Sequence, residues 1–295
     1  MSECTSTRSR RAPPPNASAD ERRAAPGFVV RPSGGDAVRR YRITVAYDGG
    51  AYAGWQVQPR HRSIQGELER ALRELTQQSA RVHGSGRTDT GVHARGQVAH
   101  FDLRGRYAPD KLRLGLNALL DPDIRVMALR PAAPDFHARF SATGKTYRYF
   151  IWSGPILPPD LRRYWTHARR PLDVGAMRAA AARLVGRHDF AAFSANPNRE
   201  IGGTVRHLRE LSIARQGRRI VLTARADGFL YRMVRSLAGF LLRVGAGDLP
   251  PESATEILES KTRTARVPTA PPHGLFLWKV EYGGAAKSPP KAAPE

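Results

Sequence analysis

Tyr41-Arg42-Ile43-Thr44-Val45-Ala46-Tyr47 is the stretch on which the reading of the fold turns. Tyr41, Ile43, Val45 and Tyr47 fall on one side of an extended chain, and Arg42, Thr44 and Ala46 on the other. That alternation predicts a strand with one wet face or edge. Asp48-Gly49-Gly50 then breaks it as a turn. Further along, Ile64, Leu68, Leu72 and Leu75 lie at helical spacing, which predicts a helix over residues 64–80. Strands are expected over 97–103 and 124–129. Between them a helix over 109–120 has Pro109 in its first turn.

The same grammar restarts near Ser141. An aromatic strand is expected over 146–152. Met177, Ala181, Leu184 and Val185 stripe a helix that Asp173 caps. A strand follows over 219–226. Leu230, Val234, Leu237, Leu241 and Val244 stripe a long helix that Gly245 or Gly247 ends. A short helix over 252–261 and a strand over 275–282 complete the chain. Alternating strands mixed with helices favour antiparallel sheets with helices packed on one face, an α+β fold, over a doubly wound parallel sheet. Two similar domains of ordinary size are expected, residues 39–140 and 141–283. Residues 1–38, with Pro13-Pro14-Pro15, Ser and Arg and little to bury, read as a disordered N-terminal extension, and residues 284–295 as a disordered tail.

The chain carries 48 Lys and Arg against 26 acids, a formal net charge of +22. Residues 1–40 hold eight Arg against four acids, and residues 287–295 two Lys against one Glu, so the termini account for five of those charges and the body keeps +17. A folded body this basic points to a polyanionic partner, most often nucleic acid. Only six of the 48 basic residues are Lys, a bias that explains Arg over Lys better than it explains the net charge. Cys4 is the only cysteine, which excludes an intrachain disulfide and a cysteine-based zinc site. No run of 18 apolar residues offers a membrane span. The N-terminus has no apolar signal core, so a cytoplasmic protein is expected, with an Arg/Ser-rich organellar transit peptide as the alternative.

Residues 84–94 concentrate the chemistry. Gly86-Arg87-Thr88-Asp89-Thr90-Gly91-Val92-His93-Ala94 sets one carboxylate, Asp89, between an arginine two residues before and a glycine two residues after. The glycine spacing is not that of a dinucleotide loop, and no Gly-Lys-Ser/Thr follows. His83, His93 and His100 do not match a metal-ligand spacing, and the loop holds no second acid, so no metal site is expected. Taken alone, Asp89 reads as a turn carboxylate accepting backbone N–H bonds or as a partner for Arg87.

The nine-residue run resembles the signature of the TruA family of tRNA pseudouridine synthases. Other blocks resemble that family in the expected order: Tyr47-Asp48-Gly49 with Gly54-Trp55-Gln56; Ser63-Ile64-Gln65-Gly66-Glu67-Leu68-Glu69; Phe136-His137-Ala138-Arg139-Phe140-Ser141-Ala142 with Lys145-Thr146-Tyr147-Arg148-Tyr149; Gly186-Arg187-His188-Asp189-Phe190; Met233-Val234-Arg235; Val244-Gly245-Ala246-Gly247; and Gly274-Leu275-Phe276-Leu277. The similarity covers about residues 41 to 283.

The resemblance implies that the protein turns uridine into pseudouridine in the anticodon stem-loop of tRNA, at positions 38, 39 and 40. It implies no redox cofactor, no ATP and no metal. It implies a homodimer, with the active cleft between the two halves of each chain. The family's essential aspartate maps onto Asp89, its substrate-contacting tyrosine onto Tyr147, the arginine that helps displace the target base onto Arg87, and the basic residue that pairs with the aspartate onto Arg235. Asp89 could attack C1′ or take a proton from the ribose, and the sequence leaves both routes open. The competing readings are a synthase of the same fold acting on other tRNA positions or other RNAs, and a non-catalytic RNA-binding protein. The second has less support, because Thr146-Tyr-Arg-Tyr-Phe-Ile-Trp152 does not match the RNP1 pattern.

Overall fold

A computed structural model describes residues 29–196 and 203–283. The readings made for residues 1–28 and 284–295 lie outside the described residues. Ten strands and five α-helices follow in the order β1 (Ser33–Tyr47), α1 (Ile64–Thr76), β2 (His83–Gly84), β3 (His93–Arg106), α2 (Pro109–Leu119), β4 (Ile124–Pro131), β5 (Gly144–Ser153), β6 (Thr166–Ala168), α3 (Val174–Leu184), β7 (Gly186–Asp189), β8 (Val205–Gln216), β9 (Arg219–Ala226), α4 (Met233–Gly245), α5 (Ser253–Ser260) and β10 (Leu275–Glu281).

All ten strands belong to one sheet, ordered β4-β1-β3-β10-β5-β9-β8-β7, with β2 added to β3 and β6 added to β5. The sheet is mostly antiparallel. The exceptions are the β5–β6 pair and the short β3–β10 pair, in which Phe276 faces His93 and Leu277 faces Ala94. The expected two halves are therefore not built on separate sheets. The N-terminal half supplies β1 to β4 and the C-terminal half the rest, and β3 meets β10 at the seam.

Register explains where the core lies. Tyr41 faces Phe101, Ile43 faces Ala99, Tyr147 faces both Leu277 and Ala224, and Tyr149 faces Leu275 and Leu222. Directly opposed residues share a face. These side chains are buried in one continuous apolar cluster, which also takes in Leu68, Leu72 and Leu75 of α1 and Met177, Leu237 and Leu241 of α3 and α4. On the other face, Arg42, Arg148, Phe150 and Phe276 are only half-buried.

Several boundaries moved for physical reasons. β1 begins at Ser33, so residues 33–38 belong to a strand and not to the disordered extension that their composition suggests. Their side chains are exposed, and they are held by ladder pairs such as Val38 with Arg104, across a bulge, rather than by burial. α1 stops at Thr76, where the apolar stripe runs out and Gln77 turns left-handed at φ 58°. α4 starts at Met233, leaving Leu230 outside it, because Arg232 has φ 58°. β8 has no clear alternation in the sequence because a bulge between Leu208 and Glu210 breaks its period of two.

Candidate active site

The loop between β2 and β3 carries the signature residues. Asp89, Thr90, Gly91 and Val92 form a turn closed by Val92 N donating to Asp89 O at 3.1 Å. Gly91 sits at φ +77°, a region that favours glycine. Thr88, before the acid, is buried. Its hydroxyl shares a 2.9 Å hydrogen bond with the Tyr47 hydroxyl, and its carbonyl accepts from Trp55 N at 3.1 Å. His93, after the turn, accepts from Gly49 N at Nδ1 (3.0 Å) and stacks on Phe276 with ring centres 4.6 Å apart. Burial pulls its pKa below the usual histidine value. The same Nδ1 lies 3.0 Å from Asp48 Oδ1, so the ring meets both residues of the Asp48-Gly49 turn and anchors the loop's second half.

The Asp89 side chain is 22% exposed and faces two guanidinium groups. Arg235, the third residue of α4, donates from Nη1 to Asp89 Oδ2 at 2.8 Å. Its Nε donates to the Ala270 carbonyl, also at 2.8 Å, so the guanidinium is gripped from both sides and only 11% exposed. Arg232 brings its Nε to 3.8 Å from the same carboxylate oxygen and lies over the Tyr231 ring at 4.8 Å. Its left-handed backbone costs a non-glycine residue about 1 kcal/mol. That cost falls at the point where the chain swings its side chain towards Asp89.

Tyr147 lies on the core face of β5, its ring edge-on to Phe229 at 5.1 Å and 86°. Burial first, and then the charges of Tyr47 and Asp89, push its phenol well above the usual tyrosine range. The phenol is therefore held neutral, and it lies within the field of the Asp89 carboxylate. Arg87 is exposed and makes no hydrogen bond or ion pair with the described residues. The carboxylate thus pairs with Arg235 and not with Arg87, the neighbour that local sequence offered. Among the described residues, no group of three or more His, Cys, Asp or Glu side chains is arranged to hold a metal ion, and no helix is long and apolar enough to cross a membrane.

A family profile described as tRNA pseudouridine synthase matches residues 43–141 and 180–283, a span that includes Asp89, Arg232 and Arg235. The chain belongs to the tRNA pseudouridine synthase family. It is 44% identical over 240 residues to tRNA pseudouridine synthase A of Halalkalibacterium halodurans, covering 81% of this chain and 91% of that one. It is 45% identical over 247 residues to the protein of the same name from Moorella thermoacetica, covering 82% and 98%. A third, from Maridesulfovibrio salexigens, is 40% identical over 248 residues, covering 83% and 91%. As a member of this family the chain is an isomerase.

Two residues at the synthase's site, Arg232 beside the carboxylate and Phe229 against Tyr147, carry less signal in the sequence. Arg232 carried a signal, since three residues before Arg235 is one helical turn away. The left-handed turn that aims it was not legible. Phe229, the ring that braces Tyr147, sits in a segment without periodicity and left no signal.

Proposed function

We propose that this synthase isomerises uridine to pseudouridine in the anticodon stem-loop of tRNA, at positions 38, 39 and 40. Asp89 is the catalytic carboxylate, and Tyr147, Arg87 and Arg235 are the substrate-site residues. The observation that carries the reading is the signature carboxylate clamped at 2.8 Å by Arg235, in a chain of this family. The everted uridine enters between the half that carries Asp89 (residues 39–140) and the half that carries Tyr147 and Arg235 (residues 141–283). The resemblance further supports a cytoplasmic homodimer.

The chemistry balances within the nucleotide. The C1′–N1 bond breaks, the uracil turns, C1′ bonds to C5, C5 loses its proton and N1 gains one. Nothing is oxidised or reduced, so the reaction needs no redox partner. Asp89 either attacks C1′ or takes a ribose proton. Arg235 holds the carboxylate oxygen that is not reacting. The neutral Tyr147 offers a ring for stacking and a hydroxyl near C5. Eversion costs a few kcal/mol. Phosphate contacts of the basic body and insertion of the unpaired Arg87 offset it. A-form stems hide their base edges, so recognition rests on shape and backbone.

The test is tritium release from C5-labelled uridine in unmodified tRNA. The full chain releases it from transcripts with uridine at 38, 39 or 40 and not from transcripts lacking uridine there. Asp89→Asn stops release and keeps tRNA binding. Release that persists in Asp89→Asn removes Asp89 from the mechanism, and release from transcripts without those uridines overturns the positional assignment.

A further inference from the structure

Lys145, the second residue of β5, lies on the core face two residues before Tyr147. Its Nζ donates to the Ser85 carbonyl at 2.7 Å. A Cβ on Gly86 would stand 2.8 Å from that nitrogen, so the loop passes close over the ammonium. Among the described residues no carboxylate pairs with Lys145, and the one charge its ionisation feels is that of Arg139, also positive. Burial, aided by Arg139, pulls the amine down to about 8.

An ammonium drawn out of water without an anion costs stability, and its hydrogen bond to the Ser85 carbonyl offsets part of that cost. Residues that break a local rule in this way are expected at functional sites. What the cost maintains is visible in the next peptide. Gln97, fully buried, donates from Nε2 to the Gly86 carbonyl at 2.8 Å and pairs its Oε1 with the Ser85 hydroxyl at 2.7 Å, while Ser85 N donates to Val98 O at 2.7 Å. Lys145 and Gln97 thus capture two successive carbonyls and turn both inward. Arg87, the next residue, is left exposed, and Asp89 follows two residues later.

We propose that Lys145 is a positioning residue for the isomerisation: its ammonium fixes the Ser85 carbonyl and so sets the path on which the loop presents Arg87 and Asp89. This rests on the function proposed above. A misplacement of about 1 Å in such a loop can cost on the order of 100-fold in rate.

The experiment compares wild type, Lys145→Met and Lys145→Arg in the full chain. In Lys145→Met, kcat for tritium release falls about 100-fold, KM for tRNA stays within about 3-fold, and Tm stays close to wild type, because losing the unpaired charge offsets losing the Ser85 hydrogen bond. Its loop also becomes more open to tryptic cleavage after Arg87. Lys145→Arg, which keeps a charged donor, recovers most of the lost rate. Wild-type kcat in Lys145→Met overturns the inference. So does a fall in Tm with kcat and KM worsening together, which marks a purely structural residue. If the wild type itself releases no tritium, the reading of the active site fails instead, so the two failures are distinguishable.

Discussion

Arg235 Nη1 stands 2.8 Å from Asp89 Oδ2, although 146 residues of sequence separate them. The acid belongs to a loop of the N-terminal half and the guanidinium to a helix of the C-terminal half. The pair forms across the seam where β3 meets β10. The second donor of Arg235 is spent on the Ala270 carbonyl, so the guanidinium plane is fixed before any substrate arrives. A fixed plane sets which carboxylate oxygen is held and which is free to react.

That geometry asks for a fork, and lysine does not supply one. Arg235→Lys can reach Asp89 or Ala270 with a point charge but cannot span both. We expect kcat to fall about 10-fold to 100-fold with little change in tRNA affinity, and Arg235→Ala to fall further. Single-turnover tritium release alongside filter binding measures both. An Arg235→Lys enzyme with wild-type kcat would show that the carboxylate needs charge and not orientation.

Tyr147 separates into a ring and a hydroxyl. The ring packs on Phe229, and a phenylalanine keeps that contact. The hydroxyl is the part that lies in the field of Asp89. Tyr147→Phe is therefore expected to fold and bind tRNA as the wild type does, while turnover falls by about 10-fold or more. Equal loss of affinity and turnover would assign the hydroxyl to binding alone.

Much of this was legible in the chain. The alternation through Tyr41–Tyr47 and the stripe through Ile64, Leu68 and Leu72 placed β1 and α1, because burial on one side writes itself into composition. Asp89 taken alone reads as a turn carboxylate, and only the resemblance of the nine-residue run around it singled it out. The seam was not legible, because a parallel pair of two residues leaves no periodicity. Nor was the start of β1, where exposed residues are held by backbone pairing, nor the bend at Arg232, where a non-glycine residue adopts a conformation that sequence assigns to glycine.

Arg87 is exposed and spends none of its donors on the described residues. Its removal should therefore leave stability within about 0.5 kcal/mol of wild type. If it props open the stem after the base leaves, Arg87→Ala loses more rate on a uridine paired in a stem than on the same uridine unpaired in a loop, because only the first must be unstacked and unpaired. Matched transcripts differing in that one pair give the ratio. Equal losses on both would reassign Arg87 to a phosphate contact.

His83, His100 and His137 form a cluster outside the reaction site that makes stability depend on pH. His83 faces His100 across β2 and β3, their rings stacked at 5.0 Å, and His137 sits edge-on to His100 at 4.7 Å. Ala138 N donates to His100 Nδ1 at 3.2 Å, and Arg139 N and Phe140 N donate to His137 Nδ1 at 3.1 and 3.2 Å. Those bonds require unprotonated Nδ1 atoms. Around the cluster lie Arg40, Arg81 and Arg139, with Asp102 and Glu69 opposing them. Burial first, and then His137, Arg40 and His83, pull His100 from 6.5 down to about 4, and His83 and His137 are lowered as well. A histidine lowered in the fold binds its proton more readily when unfolded. Its contribution is therefore complete above 6.5 and is lost as pH falls from 6.5 towards 4. We expect the loss to be on the order of 2 kcal/mol. In His100→Asn, an amide oxygen takes the place of Nδ1 as acceptor, and the slope over that window flattens while stability at pH 8 stays close to wild type. Thermal unfolding from pH 8 to pH 4 measures both chains, and parallel curves would mean that the cluster does not titrate with folding.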